Sequence, residues 1–224
     1  MRALVALAAL TFVASTALAQ APEPTPRTAD GHPDLSGVWW PGQDLRVPPI
    51  NATAPPRPAN ATPPAPPPRR ERMSDFYNDA AKARVKLFSD KDDPTLRCQS
   101  VAFGTLNVSA YNTGLVAQII QSPKFVVILS EPNPTYRIIP VDGRGRRDEQ
   151  PPSSRGESIG RWDGDTLVVD TANYSDKNWM HAEGDVSFHS DALHVVERYR
   201  RINKDTMEVE ATIEDPKVLA KPWV

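Results

Sequence analysis

The chain holds a single cysteine, Cys98, among 224 residues. It therefore has no internal disulfide, whatever compartment it occupies. A lone cysteine of this kind reads as a small buried residue ahead of a reactive thiol. Positive charge is not in excess either, with 26 Lys and Arg against 28 Asp and Glu. That balance argues against nucleic acid and an anionic membrane surface as partners, since both select clustered cations. Beyond the first 19 residues, no apolar stretch approaches the roughly 18 residues of a spanning helix, so membrane insertion is not expected. No His-x-His, His-x3-His or cysteine pair fixes a metal geometry. Gly143 and Gly145 in VDGRGRR lack the following helix that a phosphate loop requires. No cofactor is expected.

The opening MRALVALAALTFVASTALAQ does carry a signal. Arg2 supplies a positive start, Ala3 to Thr16 an apolar stretch, and Ala17-Leu18-Ala19 a small-x-small cleavage site before Gln20. Residues 1–19 read as a cleaved secretory signal peptide, which makes the mature protein periplasmic or secreted. Removing Arg2 with the leader leaves 25 basic against 28 acidic residues, a net charge of −3. The mature length suits one domain, 33–224. A proline-rich segment, 41–72, interrupts it, with proline at eleven of 32 positions. Such a run favours extended polyproline II and cannot bury enough apolar surface to fold alone. It reads as a surface tether, or as a docking ligand for another protein.

Ahead of that run, PDLSGVWW (33–40) is compact and aromatic, and reads as a first strand. SDFYNDAAKARVKLFS (74–89) places Phe76, Ala80, Ala83 and Leu87 on one side, which predicts a helix near residues 74–89 with Ser74 as N-cap. From Leu115 the apolar period becomes two. LVAQIIQ, KFVVILS, TYRIIPVD, ESIGRW, TLVVDT, LHVVERYRRI and TMEVEATI are short β-branched and aromatic runs separated by turn residues. Together these predict a mainly β chain of seven or eight strands. An antiparallel up-and-down meander closing into a barrel is expected, with a β-sandwich as the alternative. In RWDGDTLVVDT (161–171), Asp163-Gly164 reads as a two-residue hairpin loop with Asp165 at its exit, rather than a calcium loop.

PDLSGVWW, SIGRWDGDTLVVDT, HSDALHVVERYRR and TIEDP resemble a family of exported bacterial proteins of unassigned function. The likeness runs from about Pro33 to Trp223 outside the proline run, and it implies export but no particular activity. Gly37-x-Trp39 on a first strand is similar to the pattern of lipocalin-like barrels, which implies a barrel over a sandwich.

Two features stand apart from scaffold. The connection from Asn173 to Asp191 is too long for an ordinary loop. It carries Tyr174, Trp179, Met180 and Phe188 beside His181, His189, Asp176, Glu183, Asp185 and Asp191. It reads as a lid over a barrel mouth, or as a loop packed by its own aromatics. The second feature is Glu197. If 203–205 is a three-residue hairpin loop, Arg198 faces Glu210 and Arg200 faces Glu208, with Tyr199 against Val209 and Val195 against Ile213 on the other face. Glu197 then stands on that apolar face, opposite Ala211. A carboxyl group directed inward has a raised pKa unless a cation is close, and a raised carboxyl can serve as general acid or base. The structural alternative is an ion pair with Arg201 or Arg161.

The candidate catalytic set is therefore Glu197 as acid or base, His189 as its partner and Asp191 orienting the imidazole. Tyr174, Trp179, His181, Phe188 and Tyr199 are the candidate ligand-binding residues. His181 and His189 with Asp185 or Asp191 form the rival metal set. Ser158 in GESIG mimics Gly-x-Ser-x-Gly but lacks the strand-to-helix elbow. Arg144, Arg146 and Arg147 read as a solvated turn, or as a grip for an anionic ligand. The function expected is cofactor-independent acid–base chemistry on an apolar or aromatic small molecule: a lyase, hydratase, isomerase or hydrolase. The alternatives are a non-catalytic binding protein for an apolar ligand and an envelope interaction module.

Overall fold

A computed structural model describes residues 23–40, 72–102, 117–130, 135–180 and 186–224. Residues 1–22, with the expected signal peptide, the proline-rich residues 41–71 and His181 lie outside the described residues. Eight strands follow in chain order: β1 Gly37–Trp39, β2 Ala117–Gln121, β3 Phe125–Ser130, β4 Thr135–Pro140, β5 Glu157–Asp163, β6 Thr166–Ala172, β7 His194–Arg201 and β8 Met207–Glu214. They form two antiparallel four-stranded meanders, β1-β2-β3-β4 and β5-β6-β7-β8. The mainly β antiparallel reading is thus correct at the level of class. No ladder joins β4 to β5 among the described residues, so no closed barrel is found there.

Side-chain alternation explains which faces meet. In β2 and β3, Ala117, Ile119, Val126 and Ile128 point inward and are buried, as is Ile139 of β4. They share one apolar cluster with Leu167 and Val169 of β6 and Tyr199 of β7. The inner faces of the two sheets therefore pack on each other, as period-two strands with one apolar side must. A second cluster joins Val195 and Ile213 at the other end of the second sheet to Met73, Tyr77, Tyr174, Trp179, Met180 and Phe188. On the outer face of the first sheet Val38, Ile120, Tyr136 and Ile138 are exposed.

Several local expectations need correction. The predicted helix at 74–89 is broken in two: a 3-10 turn over Met73–Phe76, then α1 at Asp79–Val85. Between them Tyr77 is extended, bridges Leu219, and donates its hydroxyl to the Phe188 carbonyl at 2.6 Å. Burial of that tyrosine overrides the helical period, and Asn78 rather than Ser74 caps α1 by accepting from the Ala81 amide. Cys98 is exposed, in the left-handed region at φ 59° behind the 3-10 turn Pro94–Arg97, and not in the core. The β5–β6 loop is Gly164-Asp165, since Asp163 pairs with Thr166, and Gly164 takes the positive φ that such a loop demands. Asp165 pairs with Arg27 at 2.6 Å. The β7–β8 register is as the charge pattern predicts: Arg198 faces Glu210, Arg200 faces Glu208, and Glu197 faces Ala211.

Candidate functional site

On β4, Thr135-Tyr-Arg-Ile-Ile-Pro140, Ile139 faces inward, and Arg137 two residues earlier must share that face. On β7, Glu197 lies between inward Val195 and Tyr199. The two polar side chains meet across the sheets. Arg137 Nη2 donates to Glu197 Oε2 at 2.6 Å and Nη1 to Oε1 at 3.1 Å, a bidentate pair in which both residues are buried. Tyr199 donates its hydroxyl to Oε1 at 2.6 Å. Arg137 Nη2 also reaches Ser158 Oγ of β5 at 3.0 Å and Thr171 Oγ1 of β6 at 3.1 Å. Burial works against the guanidinium charge, but the Glu197 carboxylate outweighs it and holds the Arg137 pKa above the ordinary arginine value. Four strands are tied together here at the junction of the two apolar clusters.

Glu197 thus faces inward with a cation beside it, and the cation is neither Arg201 nor Arg161. Arg201 instead donates to the Asp34 and Lys204 carbonyls and lies over the Trp39 ring. His189 is buried; its Nδ1 contacts the Ser190 carbonyl at 3.0 Å and its Nε2 has no partner. Desolvation lowers its pKa, which favours the neutral imidazole. Asp191 does not orient that ring: it is exposed and pairs with Lys217 at 2.6 Å. Ser190 is held instead by Asp215, whose carboxylate accepts from the Ser190 amide and hydroxyl at 2.7 Å each. The HSD and TIEDP motifs therefore meet as a structural lock.

Tyr174, Trp179 and Phe188 are buried in the second apolar cluster with Met180. The connection folds back on itself, with Trp179 bridged to Phe188 and the Met180 amide donating to the Ser187 carbonyl at 2.8 Å. Phe188 also packs on Tyr77 at 5.0 Å between ring centroids.

The open space lies elsewhere. A cleft of about 400 Å³ sits between β4 and β5, walled by Tyr136, Ile138 and Pro140 on one side and by Ser158 and Ile159 on the other. Gly160 lets β5 approach the end of β4 closely: a Cβ there would stand 2.9 Å from Ile139 and from Val141. Four arginines line the cleft, Arg137, Arg144, Arg147 and Arg155. Arg144 makes a two-point contact with Asp142 and covers the Phe125 ring. Arg147 pairs with Glu157 at 3.0 Å. Arg155 differs from these three. Its Nε and Nη1 are shielded from water and have no hydrogen-bond partner, and among the described residues it enters no ion pair.

No family model, curated protein or solved structure matches the chain. The geometry alone therefore carries the functional reading. Arg155 is held on a tight turn rather than a loose loop. Ser153 receives the Ser175 amide at 2.8 Å and donates its amide to the Asn173 carbonyl at 3.2 Å, while Asn178 donates to the Ser154 carbonyl at 2.9 Å. Gly156 at φ 64° closes the turn, where a Cβ would stand 2.6 Å from the Ala172 carbonyl oxygen. Sequence reasoning missed Arg137 and Arg155. The parity of β4 was sufficient to find the first. The second lies in PPSSRGES, which has no period to read.

Proposed function

We propose that this chain is an exported protein that binds a small molecule in the cleft between β4 and β5, with Glu197 acting as a structural anchor rather than an acid or base. The carrying observation is the cleft itself, which has room for a small ligand, an apolar wall and convergent polar groups, the usual make-up of a binding site. The state of Glu197 supports the non-catalytic reading. Both of its oxygens are engaged, by Arg137 and by Tyr199, and proton transfer through it would require dismantling the tie between the sheets. The candidate ligand-binding residues Tyr174, Trp179, Phe188 and Tyr199 are core side chains and none of them lines the cleft. The finer architecture that fits is a sandwich of the two meanders, with the ligand at their seam and not inside a barrel.

Titration of 15N-labelled protein with benzyl alcohol, a neutral apolar probe, tests the site. Amide shifts concentrated at Tyr136, Ile138, Gly145 and Ile159 are expected. Saturable shifts confined to the 174–189 connection would return the ligand site to the lid and overturn the reading.

A further inference from the structure

The charges around the cleft divide unequally. Three of its four arginines have a carboxylate each: Arg137 has Glu197, Arg144 has Asp142 and Arg147 has Glu157. Arg155 has none. Burial lowers its pKa first and the neighbouring Arg137 charge lowers it further, against smaller opposing pulls from Tyr174 and from Glu197, whose oxygens are already bonded to Arg137 and Tyr199. An arginine does not escape this by losing its proton at any ordinary pH. A guanidinium kept charged, mostly out of water and without an acceptor is an unfavourable arrangement that an anion at the same place relieves.

The rest of the cleft restricts which anion fits. Tyr136 is 65% and Ile138 52% exposed, and both line the cleft with the arginines. These side chains offer an apolar surface the width of a ring or short alkyl chain. A fully hydrated inorganic ion would leave that wall in water and gain nothing from it.

We infer that the ligand is an organic carboxylate, its apolar body lying on Tyr136 and Ile138 and its carboxylate received by Arg155. The inference rests on the cleft being the ligand site and adds the chemical class. Arg155 selects the charged head and the β4 wall selects the body, so neither part alone is sufficient. The tight turn at 153–156 fixes the Arg155 backbone before the ligand arrives, which lowers the ordering cost of binding.

Three probes with one ring and different heads provide the test: benzoate, benzyl alcohol and benzylammonium, each titrated by NMR at fixed ionic strength, with inorganic phosphate as a fourth. Benzoate is expected to bind at least tenfold more tightly than benzyl alcohol, with benzylammonium weakest and phosphate weaker than benzoate. Arg155→Gln should reduce benzoate to the affinity of benzyl alcohol while leaving benzyl alcohol unchanged. Glu157→Gln, which frees Arg147, should tighten benzoate and provides a second readout that leaves Arg155 intact. Equal affinities for benzoate and benzyl alcohol at the cleft would overturn the charge selection and leave the binding site standing. Phosphate binding as tightly as benzoate would overturn the role of the apolar wall. Absence of every probe from the cleft would sink the site along with its ligand.

Discussion

Arg137 and Arg155 lie side by side, yet they occupy opposite kinds of environment. Arg137 is buried with both terminal nitrogens engaged within the chain, through two bonds to Glu197 and one each to Ser158 and Thr171. Arg155 is partly buried beside it, on a rigid turn, with two shielded donors that bond to nothing. The first arginine is part of how the sheets hold together. The second contributes no internal contact of that kind, and its cost to the fold is the reason to look for a partner outside the chain. One residue type thus marks the structural centre and the candidate site, and what separates them is whether a carboxylate stands opposite.

The sharpest way to break this contrast is to remove Arg137. Arg137→Leu strands the buried Glu197 carboxylate, and loss of one member of such a pair costs about 3–5 kcal/mol. For a chain of this size that is a fall of roughly 10 °C in Tm. The double variant Arg137→Leu/Glu197→Leu should recover most of the loss, because no uncompensated charge remains. A double variant as unstable as the single one would mean that the pair is not the source of the effect.

Acidification should have a smaller effect, acting through the buried His189. Its folded pKa lies below the ordinary 6.5 because burial disfavours the charged imidazole. Between those two values the unfolded chain takes up a proton that the folded chain refuses. Stability is therefore fully present above about pH 6.5 and is lost as pH falls below it. Thermal melts from pH 7.5 to 5.5 should show the decline, and His189→Gln should flatten it. An unchanged slope in that variant would assign the decline to other groups.

The smallest expected change is at Arg155 itself. Arg155→Leu removes an unpaired charge and should leave the ligand-free Tm unchanged or slightly raised, the reverse of Arg137→Leu. A drop of several degrees would reveal an internal role and erase the difference between the two arginines.

Much of this was legible in the residues. The charge ladder of Arg198 and Arg200 against Glu210 and Glu208 determined the β7–β8 register, and with it the inward direction of Glu197. That inference is local: hairpin length and side-chain parity decide it without reference to the rest of the chain. Parity also reached Arg137, had β4 been read the same way. The helix at 74–89 was misread because its period is interrupted by Tyr77, whose extended backbone pairs with Leu219 far along the chain. Cys98 was misread because a composition rule says nothing of a left-handed turn at the surface.

What the sequence determined by itself, then, is the class of fold, the strands from β2 onward and the face on which each side chain lies, since these follow from a period of two and from turns only a few residues long. Only the tertiary structure decided which inward groups meet. Arg137 and Glu197 are sixty residues apart in sequence and 2.6 Å apart in space. That packing of sheet on sheet gave Arg137 its carboxylate, while Arg144 and Arg147 found theirs within ten residues and Arg155, on the neighbouring turn, was left without one. No spacing in the chain records that, because a missing partner is a property of everything that surrounds a side chain.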